Sequence, residues 1–579
     1  MKQIFCVFLS LILSYPAFSQ NFQWAGSIGG LYGEESTSIA TDSSGNVFTT
    51  GVFDGIGDFD PGPGEHLIEA QSVDDLFIQK LDSNGNLVWV ITLGNFNGGG
   101  YGSVLPQSIA LDKSGNIYTA GYYLGPVDFD PGPGTSVLPC LGNWDAFVIK
   151  LNPDGAFEWV KSINGSRYER VNSIAIDEVG YPCITGCFNG TVDLDVGPGV
   201  SNSVSAGLFD IFIVKLDPYG NSIWTKQIGG PADDKGFHIS TEPKGDIYVS
   251  GCFGKTVDFN PNGSGGILNA VDSISHCILK LHSDGRFDWV KKLQIHHHNT
   301  DYRCPVVADN KNNLYVTGFF YGSVVFDSGV DTVTITSKGD ADVFILKIDS
   351  SGQAIWARSV GGSDGDFSAS ITLDEEGNIY TTGNFTNTVD FDPGPDVFNL
   401  TNAGKADMYC LGLKPNGDLL WARGIGGTWY DGGSAIALDQ RGNVYITGHF
   451  EKTVDFDPGP RSYLMSTGFS NSSIFVMKLG DKIKTLPDHT QPDTTGNPPY
   501  FLPFPNPVSS YFYIRSDHEH LGTDYTLYDV PGRKLLSGKL LSAYTKVDVE
   551  TLPPAVYFLD FDTHRQGEDI LTRKVVKVR

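Results

Sequence analysis

The chain has 579 residues, a formal net charge of −27 at pH 7 and 70 glycines, and 12% of its residues are aromatic. Because a surface this acidic repels phosphate backbones, nucleic acid is not an expected partner, whereas cations and neutral glycans are compatible with it. The abundance of Gly together with Tyr, Phe, Thr and Val favours an all-β fold.

Residues 1–19 predict a secretory signal peptide. A basic residue, Lys2, is followed by an apolar run from Ile4 to Leu13 and then by small residues around Ser19. This run is shorter than the ~20 residues that cross a bilayer, and no later stretch is more apolar. We therefore expect a soluble, monomeric mature chain with no transmembrane segment.

Removal of the signal peptide leaves an odd number of cysteines, from which no disulfide framework can be deduced. Cys183 and Cys187 lie within a strand pattern and have no second Cys or His pair beside them. We interpret them as small buried side chains and not as metal ligands.

A repeat of four strands follows, marked by a recurring tryptophan. The tryptophans are Trp24, Trp89, Trp159, Trp224, Trp289, Trp356 and Trp421. In one unit, Ser108–Asp112 and Asn116–Gly121 predict a first hairpin, and Ala146–Leu151 and Phe157–Trp159 predict a second. Asp or Asn followed by Gly in the tight turns indicates hairpin turns rather than calcium loops. Third strands that are apolar on both faces favour radially packed blades, so residues 20–480 predict a seven-bladed β-propeller.

The two ends of the repeat region predict how the ring closes. Phe22–Ile28 matches the fourth strand Phe157–Ile163, yet it precedes the first hairpin, and the last unit ends at its third strand, Ile474–Leu479. The N-terminal strand should therefore complete the last blade, which removes the exposed edges of an open stack.

The repeat resembles a known bacterial family. The pattern in Asp374–Gly383 is typical of the SBBP β-propeller repeats, and the resemblance extends over residues 22–479. Unit five departs from it, with Asn312-Asn313 at the turn and Val325-Phe326-Asp327 where other units have Asp-Phe-Asp. The resemblance implies a fold and no particular activity.

Residues 481–500 contain several prolines and predict a linker. Residues 501–579 then show short alternating strands with polar turns, which predict a small β-sandwich. Their motifs are Pro505-Asn-Pro507, Tyr525–Asp529, Gly532-Arg533, Leu552–Leu559 and Arg573–Lys577. In order and spacing they resemble the type A sorting domain of the type IX secretion system of Bacteroidetes-type bacteria, although Ala555 stands where that family usually has Gly. The resemblance implies recognition by the secretion machinery, passage through the periplasm, and a final location in the medium or on the outer cell surface.

The four-strand topology assigns loops to two faces of the ring. The tight turns share one face, here called the tight-turn face. The long acidic connections and the blade-to-blade loops share the opposite face, here called the loop face. Long loops on a rigid scaffold commonly carry binding sites, so the loop face is the candidate functional face.

Paired aspartates recur in the long connections of the loop face. They are Asp58/Asp60, Asp128/Asp130, Asp193/Asp195, Asp390/Asp392 and Asp455/Asp457. They suggest calcium, the one cofactor that the sequence offers, but Ca²⁺ takes ~6–8 oxygens and each loop supplies two carboxylates. The alternative is that they cap the Pro-Gly turns and pair with the strand lysines, which are Lys80, Lys150, Lys215, Lys280, Lys347 and Lys478.

The second recurring feature of the loop face is an aromatic residue in each blade-to-blade loop. The binding candidates are Tyr32, Tyr101, Tyr168, Tyr302, Trp429 and Tyr430, with Phe237 and Phe367 at equivalent places. Such rings suit stacking on sugars, and packing against the next blade suits them equally. His296-His297-His298 is a further cluster, but consecutive strand residues point to alternate faces, which disfavours a metal site.

Three functions remain open at this point. A non-enzymatic binding module for glycan or protein is favoured, because the near-identity of the loops argues against a catalytic centre, for which blades must diverge. A polysaccharide-active enzyme is the first alternative, and a structural or adhesive envelope component is the second. The chain contains no zinc-protease motif or phosphate loop.

Overall fold

The computed structural model separates the chain into two compact units, Met1–Lys484 and Thr485–Arg579. It describes residues 21–480 and 502–577 apart from short gaps. The residues outside the description are 1–20, 31–33, 63, 96–101, 198, 262, 272, 296–302, 330–331, 460, 468–471, 481–501, 505–510, 516–523, 530–532, 541–543, 550, 554, 563–570 and 578–579. The predicted signal peptide, the linker, Tyr32, Tyr101, Tyr302 and His296-His297-His298 therefore lie outside the described residues.

The first unit is the predicted seven-bladed β-propeller, with four antiparallel strands in each blade. The first strands are Glu35–Thr41, Ser103–Leu111, Tyr168–Ile176, Lys235–Thr241, Val306–Ala308, Phe367–Leu373 and Gly432–Leu438. The second strands are Val47–Phe53, Ile117–Leu124, Pro182–Asn189, Ile247–Phe253, Leu314–Phe320, Ile379–Phe385 and Val444–Glu451. The third strands are Asp75–Leu81, Asp145–Leu151, Asp210–Leu216, Ser275–Leu281, Asp342–Ile348, Asp407–Leu413 and Ser472–Gly480. The fourth strands are Leu87–Leu93, Phe157–Ile163, Ser222–Ile228, Phe287–Leu293, Ala354–Val360, Leu419–Ile425 and, in blade seven, Asn21–Gly30.

Ring closure by the N-terminal strand is confirmed. Asn21–Gly30 pairs antiparallel with Ser472–Gly480 of blade seven, in a register that places Ile28 opposite Ile474. The first strands of neighbouring blades contact one another around the whole ring, including those of blades seven and one. The all-β prediction is also confirmed: the described part of the chain has no helix, and so none that is long and apolar enough to cross a membrane.

The recurring tryptophan and the strand lysine hold the tight turn of the next blade. In blade two, Trp159 Nε1 donates to the Pro218 carbonyl at 3.1 Å, and Lys150 Nζ donates to the same carbonyl at 3.5 Å. In blade seven, Trp24 Nε1 and Lys478 Nζ both donate to the Ser83 carbonyl at 3.2 Å. The predicted pairing of these lysines with the paired aspartates is therefore wrong, because the lysines lie at the tight-turn ends of their strands.

Each long connection forms a short two-stranded hairpin, which the sequence analysis does not predict. Its two strands are Ile56–Asp58 with Leu67–Glu69, Val127–Asp128 with Val137–Leu138, Thr191–Asp193 with Asn202–Val204, Thr256–Asp258 with Ile267–Asn269, Ser323–Asp327 with Thr332–Thr336, Thr388–Asp390 with Asn399–Thr401, and Thr453–Asp455 with Leu464–Ser466. The residue between the paired aspartates points inward, and Phe129 and Phe391 are fully buried there. Blade five has the longest of these hairpins and the shortest first strand, which agrees with its departure from the repeat pattern.

The second unit contains two antiparallel sheets. One is formed by Leu502–Phe504, Tyr511–Arg515 and Tyr544–Asp548, and the other by Lys534–Lys539, Asp524–Asp529, Ala555–Asp562 and Leu571–Lys577. Val547 of the first sheet shares a buried cluster with Leu527, Tyr557 and Leu559 of the second. The Tyr557 hydroxyl donates to the Pro553 carbonyl. This arrangement is the predicted small β-sandwich.

Candidate binding face

The short hairpins and the blade-to-blade loops lie together on the loop face. Gly29 and Gly30, at the end of the N-terminal strand, pair with Asp58 and Gly57 of the hairpin in blade one. Isolated bridges join the equivalent places of other blades, for example Gly427 to Val454. Backbone pairing on the loop face therefore joins several neighbouring blades.

The paired aspartates close the loops of these hairpins. Asp128 Oδ1 accepts hydrogen bonds from the backbone N–H groups of Asp130 at 3.1 Å and Ser136 at 2.7 Å, and Asp130 Oδ1 accepts one from Gly132 at 2.8 Å. Equivalent bonds are made by Asp58, Asp60, Asp193, Asp195, Asp390, Asp392, Asp455 and Asp457. A calcium ion would share carboxylates that already bind backbone N–H groups, and calcium binding stays a prediction.

The aromatic loop residues within the described part of the chain fall into two groups. Phe237 is buried, Tyr168 is half-buried with its ring 6.3 Å from that of Phe209, and the ring of Phe367 is 4.7 Å from that of Phe319. Phe367 packs against the neighbouring blade, as the alternative interpretation has it, whereas Tyr168 packs on a ring of its own blade. Trp429 and Tyr430 are different, because 41% and 49% of their surfaces remain exposed.

Lys405 completes an exposed cluster with Trp429 and Tyr430, here called the aromatic platform. Its Nζ lies 4.2 Å from the ring centre of Trp429 and 4.8 Å from that of Tyr430, within cation–π range. The backbone fixes this arrangement, because the N–H groups of Lys405 and Ala406 both donate to the Trp429 carbonyl at 3.3 Å. The platform therefore presents two aromatic side chains and one cation on a rigid support.

A second aromatic stripe runs over blades two to four and was missed by the sequence analysis. The rings of Tyr122 and Trp144 lie 5.3 Å apart, and the guanidinium of Arg170 lies 4.7 Å from the centre of the Tyr122 ring. Lys235 Nζ lies 5.4 Å from the ring centre of Phe209. All of these side chains are half-buried. The sequence does contain a signal for this stripe. Trp144 and Phe209 each stand directly before a third strand, where the other units have small residues, aliphatic residues or Asp.

Four blade seams on the loop face bury pairs of carboxyl groups, here called the seam carboxyls. The pairs are Asp145 with Glu169, Asp210 with Asp234, Asp342 with Asp366, and Asp407 with Asp431, and all eight residues are buried. Asp234 shows their structural role: its two oxygens accept backbone N–H groups of Gly230 at 2.6 Å and Gly254 at 3.0 Å. Gly230 ends one blade and Gly254 follows the second strand of the next, so the carboxyl joins two blades.

Burial raises the pKa of every seam carboxyl, and the neighbouring carboxyl raises several of them further. The pKa of Glu169 rises to about 8, and those of Asp234 and Asp366 rise to about 7. The pKa values of Asp407 and Asp431 rise to about 6. Several of these groups are therefore protonated near neutral pH, and ionisation would place like charges together at a buried seam.

We expect the protein to lose stability as the pH rises from about 5.5 to about 8.5. Folding raises the pKa of each seam carboxyl above its unfolded value near 4. The contribution of such a group to stability is therefore largest below about pH 4, and it is lost as the pH rises through the pKa of the folded state. The urea midpoint should fall across this range, and Asp234→Asn with Asp366→Asn should flatten the fall. Asp154→Asn, an exposed position on the tight-turn face, is the control. A midpoint that rises with pH would contradict the assignment.

The first strands of the blades surround the centre of the ring. Arg303 of blade five donates through Nη2 to Gln107 Oε1 of blade two at 2.6 Å, and these blades lie on opposite sides of the channel. A cavity of about 290 Å³ lies where the first strands of blades two to five end at the tight-turn face, and its lining includes Asp112, Asp177 and Asp309. The Oδ1 atoms of these aspartates accept the backbone N–H groups of their own tight turns.

Comparison with known families identifies both units. Residues 355–388 match the family described as beta-propeller repeat, which is SBBP. Residues 503–578 match the family described as secretion system C-terminal sorting domain. The chain therefore carries an SBBP β-propeller repeat and a secretion-system C-terminal sorting domain. This sorting domain marks the propeller for export to the cell surface or the medium and makes the secretion system its partner.

The curated relatives of this chain share little sequence identity with it. An uncharacterized WD repeat-containing protein of Acanthamoeba polyphaga mimivirus is 23% identical over 83% of the chain and 40% of its own length. The regulatory protein FlaEY of Caulobacter vibrioides is 26% identical over 27% of the chain and 18% of its own length. The chain thus spans less than half the length of the curated relatives it matches.

Two solved structures illustrate the structural neighbours. PorZ, a surface component of the type IX secretion system of Porphyromonas gingivalis, is 11% identical, with a TM-score of 0.17 over 96% of this chain and 100% of that chain. A gluconolactonase of Xanthomonas campestris is 12% identical, with a TM-score of 0.27 over 63% of this chain and 90% of that chain.

Proposed function

We propose that the exported propeller is a non-enzymatic binding module whose loop face binds carbohydrate. The observation that carries this proposal is the aromatic platform, where Trp429 and Tyr430 stay exposed beside Lys405. Large aromatic side chains are usually buried, and in this propeller most of them are. An exposed pair on a rigid support is therefore suited to a ligand with its own apolar faces.

The chemistry of the platform matches a sugar ring. The C–H face of a pyranose packs on an aromatic ring, while its hydroxyl groups need polar partners at the rim. Lys405 Nζ provides such a partner next to both rings. The overall charge of −27 disfavours polyphosphate ligands and leaves neutral glycans as the simplest class.

The geometry of the paired aspartates favours binding over hydrolysis. A glycosidase needs two carboxyl groups that flank the scissile bond and are free to exchange protons. In the loops of this propeller the aspartates accept backbone N–H groups instead, as Asp390 Oδ1 does from Asp392 at 3.1 Å and Phe398 at 2.9 Å. These carboxylates stabilise the loops through hydrogen bonds. This role supports the proposal of a module that binds its ligand without catalysis.

The test is a glycan array with the purified mature protein, followed by titration of the best glycan. Trp429→Ala with Tyr430→Ala should weaken binding about tenfold or more, since removing aromatic stacking costs about 1.4 kcal/mol or more. Tyr219→Ala is the matched control, because Tyr219 is 76% exposed but lies in a tight turn of the opposite face. Titrations in EDTA and in excess Ca²⁺ test the calcium prediction in the same assay.

Two outcomes would contradict the carbohydrate proposal. One is an array without any bound glycan, which would favour a protein ligand or an adhesive role. The other is equal affinity of the platform variant and the Tyr219→Ala control, which would move the site elsewhere on the propeller.

A further inference from the structure

Blade four carries a cluster of three metal-ligating side chains on the tight-turn face, far from the aromatic platform in blades six and seven. Asp246 precedes the second strand, His282 follows the third, and Asp288 lies in the fourth. One ligand atom from each residue lies within 4.8 Å of the others. His282 Nδ1 and Asp246 Oδ2 are 3.4 Å apart, the separation of about 3.3–3.4 Å that two ligands at ~2.0–2.1 Å from one tetrahedral Zn²⁺ would have.

These three residues are departures from the repeat that coincide in one blade. The place of Asp246 is taken by Asn46, Asn116, Asn313, Asn378 and Asn443 in five other blades. The side-chain amide of each of these asparagines donates to the aspartate of its own turn, at 2.7 to 2.8 Å. A carboxylate cannot donate that bond, so Asp246 gives up a turn contact and adds a negative charge.

His282 and Asp288 also differ from the residues that most other blades have at the same places. The place of His282 is Asp, Asn or Lys in the other blades with a tight turn there, as in Asp217 and Asn152. The place of Asp288 is apolar in most blades, as in Ile223 and Ile355, although blade two also has an acidic residue there, Glu158. Blade four therefore brings an imidazole and two carboxylates together at one spot.

Lys280 pairs with two carboxylates of the cluster, whereas Lys150 and Lys215 each pair with one carboxylate, Glu158 and Asp177 respectively. Lys280 Nζ lies 3.3 Å from Asp246 Oδ2 and 3.4 Å from Asp288 Oδ2. The equivalent lysines of other blades donate to the tight turn of the next blade, as Lys215 does to the Ser283 carbonyl at 3.3 Å. For Lys280 the equivalent carbonyl is that of Ser350, which accepts Trp289 Nε1 at 2.9 Å. A cation bound by the carboxylates would release Lys280 to the position that its counterparts hold.

We propose that Asp246, His282 and Asp288 form a binding site for a first-row divalent cation, with Zn²⁺ as the reference metal. Imidazole nitrogens and carboxylate oxygens are both ligands that Zn²⁺ takes, and water completes the coordination because the site is partly exposed. The bound ion takes over the charge that Lys280 neutralises and adds a link between three strands. The excess negative charge of the protein raises the local concentration of cations. This site is independent of the carbohydrate proposal.

The test is calorimetric titration of the full mature protein with Zn²⁺, together with elemental analysis after dialysis. Asp246→Asn with His282→Asn should remove one bound equivalent or weaken it at least tenfold. These substitutions install residues that other blades hold at the same places, so the fold should be kept. Lys280→Met should tighten Zn²⁺ binding severalfold, because it removes the competing cation.

His296-His297-His298, outside the described residues, is a second source of Zn²⁺ ligands, and its triple alanine variant is the control. The proposed site requires that this control keep the equivalent that Asp246→Asn with His282→Asn loses. Equal stoichiometry and affinity of the wild type and the Asp246→Asn, His282→Asn variant would overturn the proposal. So would an affinity that Lys280→Met leaves unchanged or weakens.

Discussion

Deletion of residues 22–28 is expected to lower the free energy of unfolding of the propeller by several kcal/mol. The segment contributes Ala25 and Ile28 to the core, and the ring of Trp24 lies 6.3 Å from that of Tyr445. The same strand pairs with blade seven along its length and with the blade-one hairpin at its end. Its loss would expose the third strand of blade seven as an edge and separate the first and last blades.

The deletion is measured by urea denaturation and by size-exclusion chromatography, where an open edge should also promote association. A synthetic peptide with the sequence of Asn21–Gly30 should restore much of the lost stability when it is added in trans. A peptide with the same residues in scrambled order is the control. An unchanged melting temperature of the deleted chain would show that the strand does not close the ring.

The blades were predictable because their signals are local. Each hairpin is defined by residues close in sequence, such as Asp112 and Gly115 in a tight turn, where Gly115 has a φ of 82°. Ring closure was predictable for the same reason: the strand with Trp24 matches the fourth-strand pattern, and the last unit lacks that strand. Periodicity alone therefore determined the order of the strands.

The contacts between blades were not predictable from these local patterns. Lys150 and Asp128 belong to the same unit and have opposite charges, which suggests a pair. Lys150 lies at the tight-turn end of its strand, however, and donates to a turn of the next blade. Which carboxyl groups are buried at seams likewise depends on residues that are distant in sequence, as for Asp210 and Asp234.

The aromatic platform was predicted in part, since Trp429 and Tyr430 were singled out as an unusual pair. Lys405 was missed because it lies in the loop before the third strand of blade six and meets the rings only after two blades pack together. The half-buried Tyr168 shows the opposite case, in which an aromatic residue in a similar loop packs inside the blade. Solvent exposure of the ring distinguishes Trp429 and Tyr430 from Tyr168. This exposure depends on residues that are distant in the sequence.

Truncation of the chain after Lys484 is expected to stop export and leave a folded propeller in the periplasm. The reason is that the propeller and the sorting domain are separate compact units, Met1–Lys484 and Thr485–Arg579. The sorting domain has its own buried core, which includes Leu527 and Leu559, so removing it should not unfold the propeller. Without the domain, the secretion machinery has nothing to recognise.

Conversely, fusion of residues 486–579 to an unrelated periplasmic protein should carry that protein out of the cell. A fusion that ends at residue 500, with the linker but not the sorting domain, is the matched control and should stay in the periplasm. Cell fractionation and mass spectrometry of the medium measure both results, and the exported native form should lack most of the chain after residue 500. If the truncated chain still reached the surface, or if full-length chain persisted uncleaved in the medium, residues 501–579 would be an accessory sandwich and not a cleaved export signal.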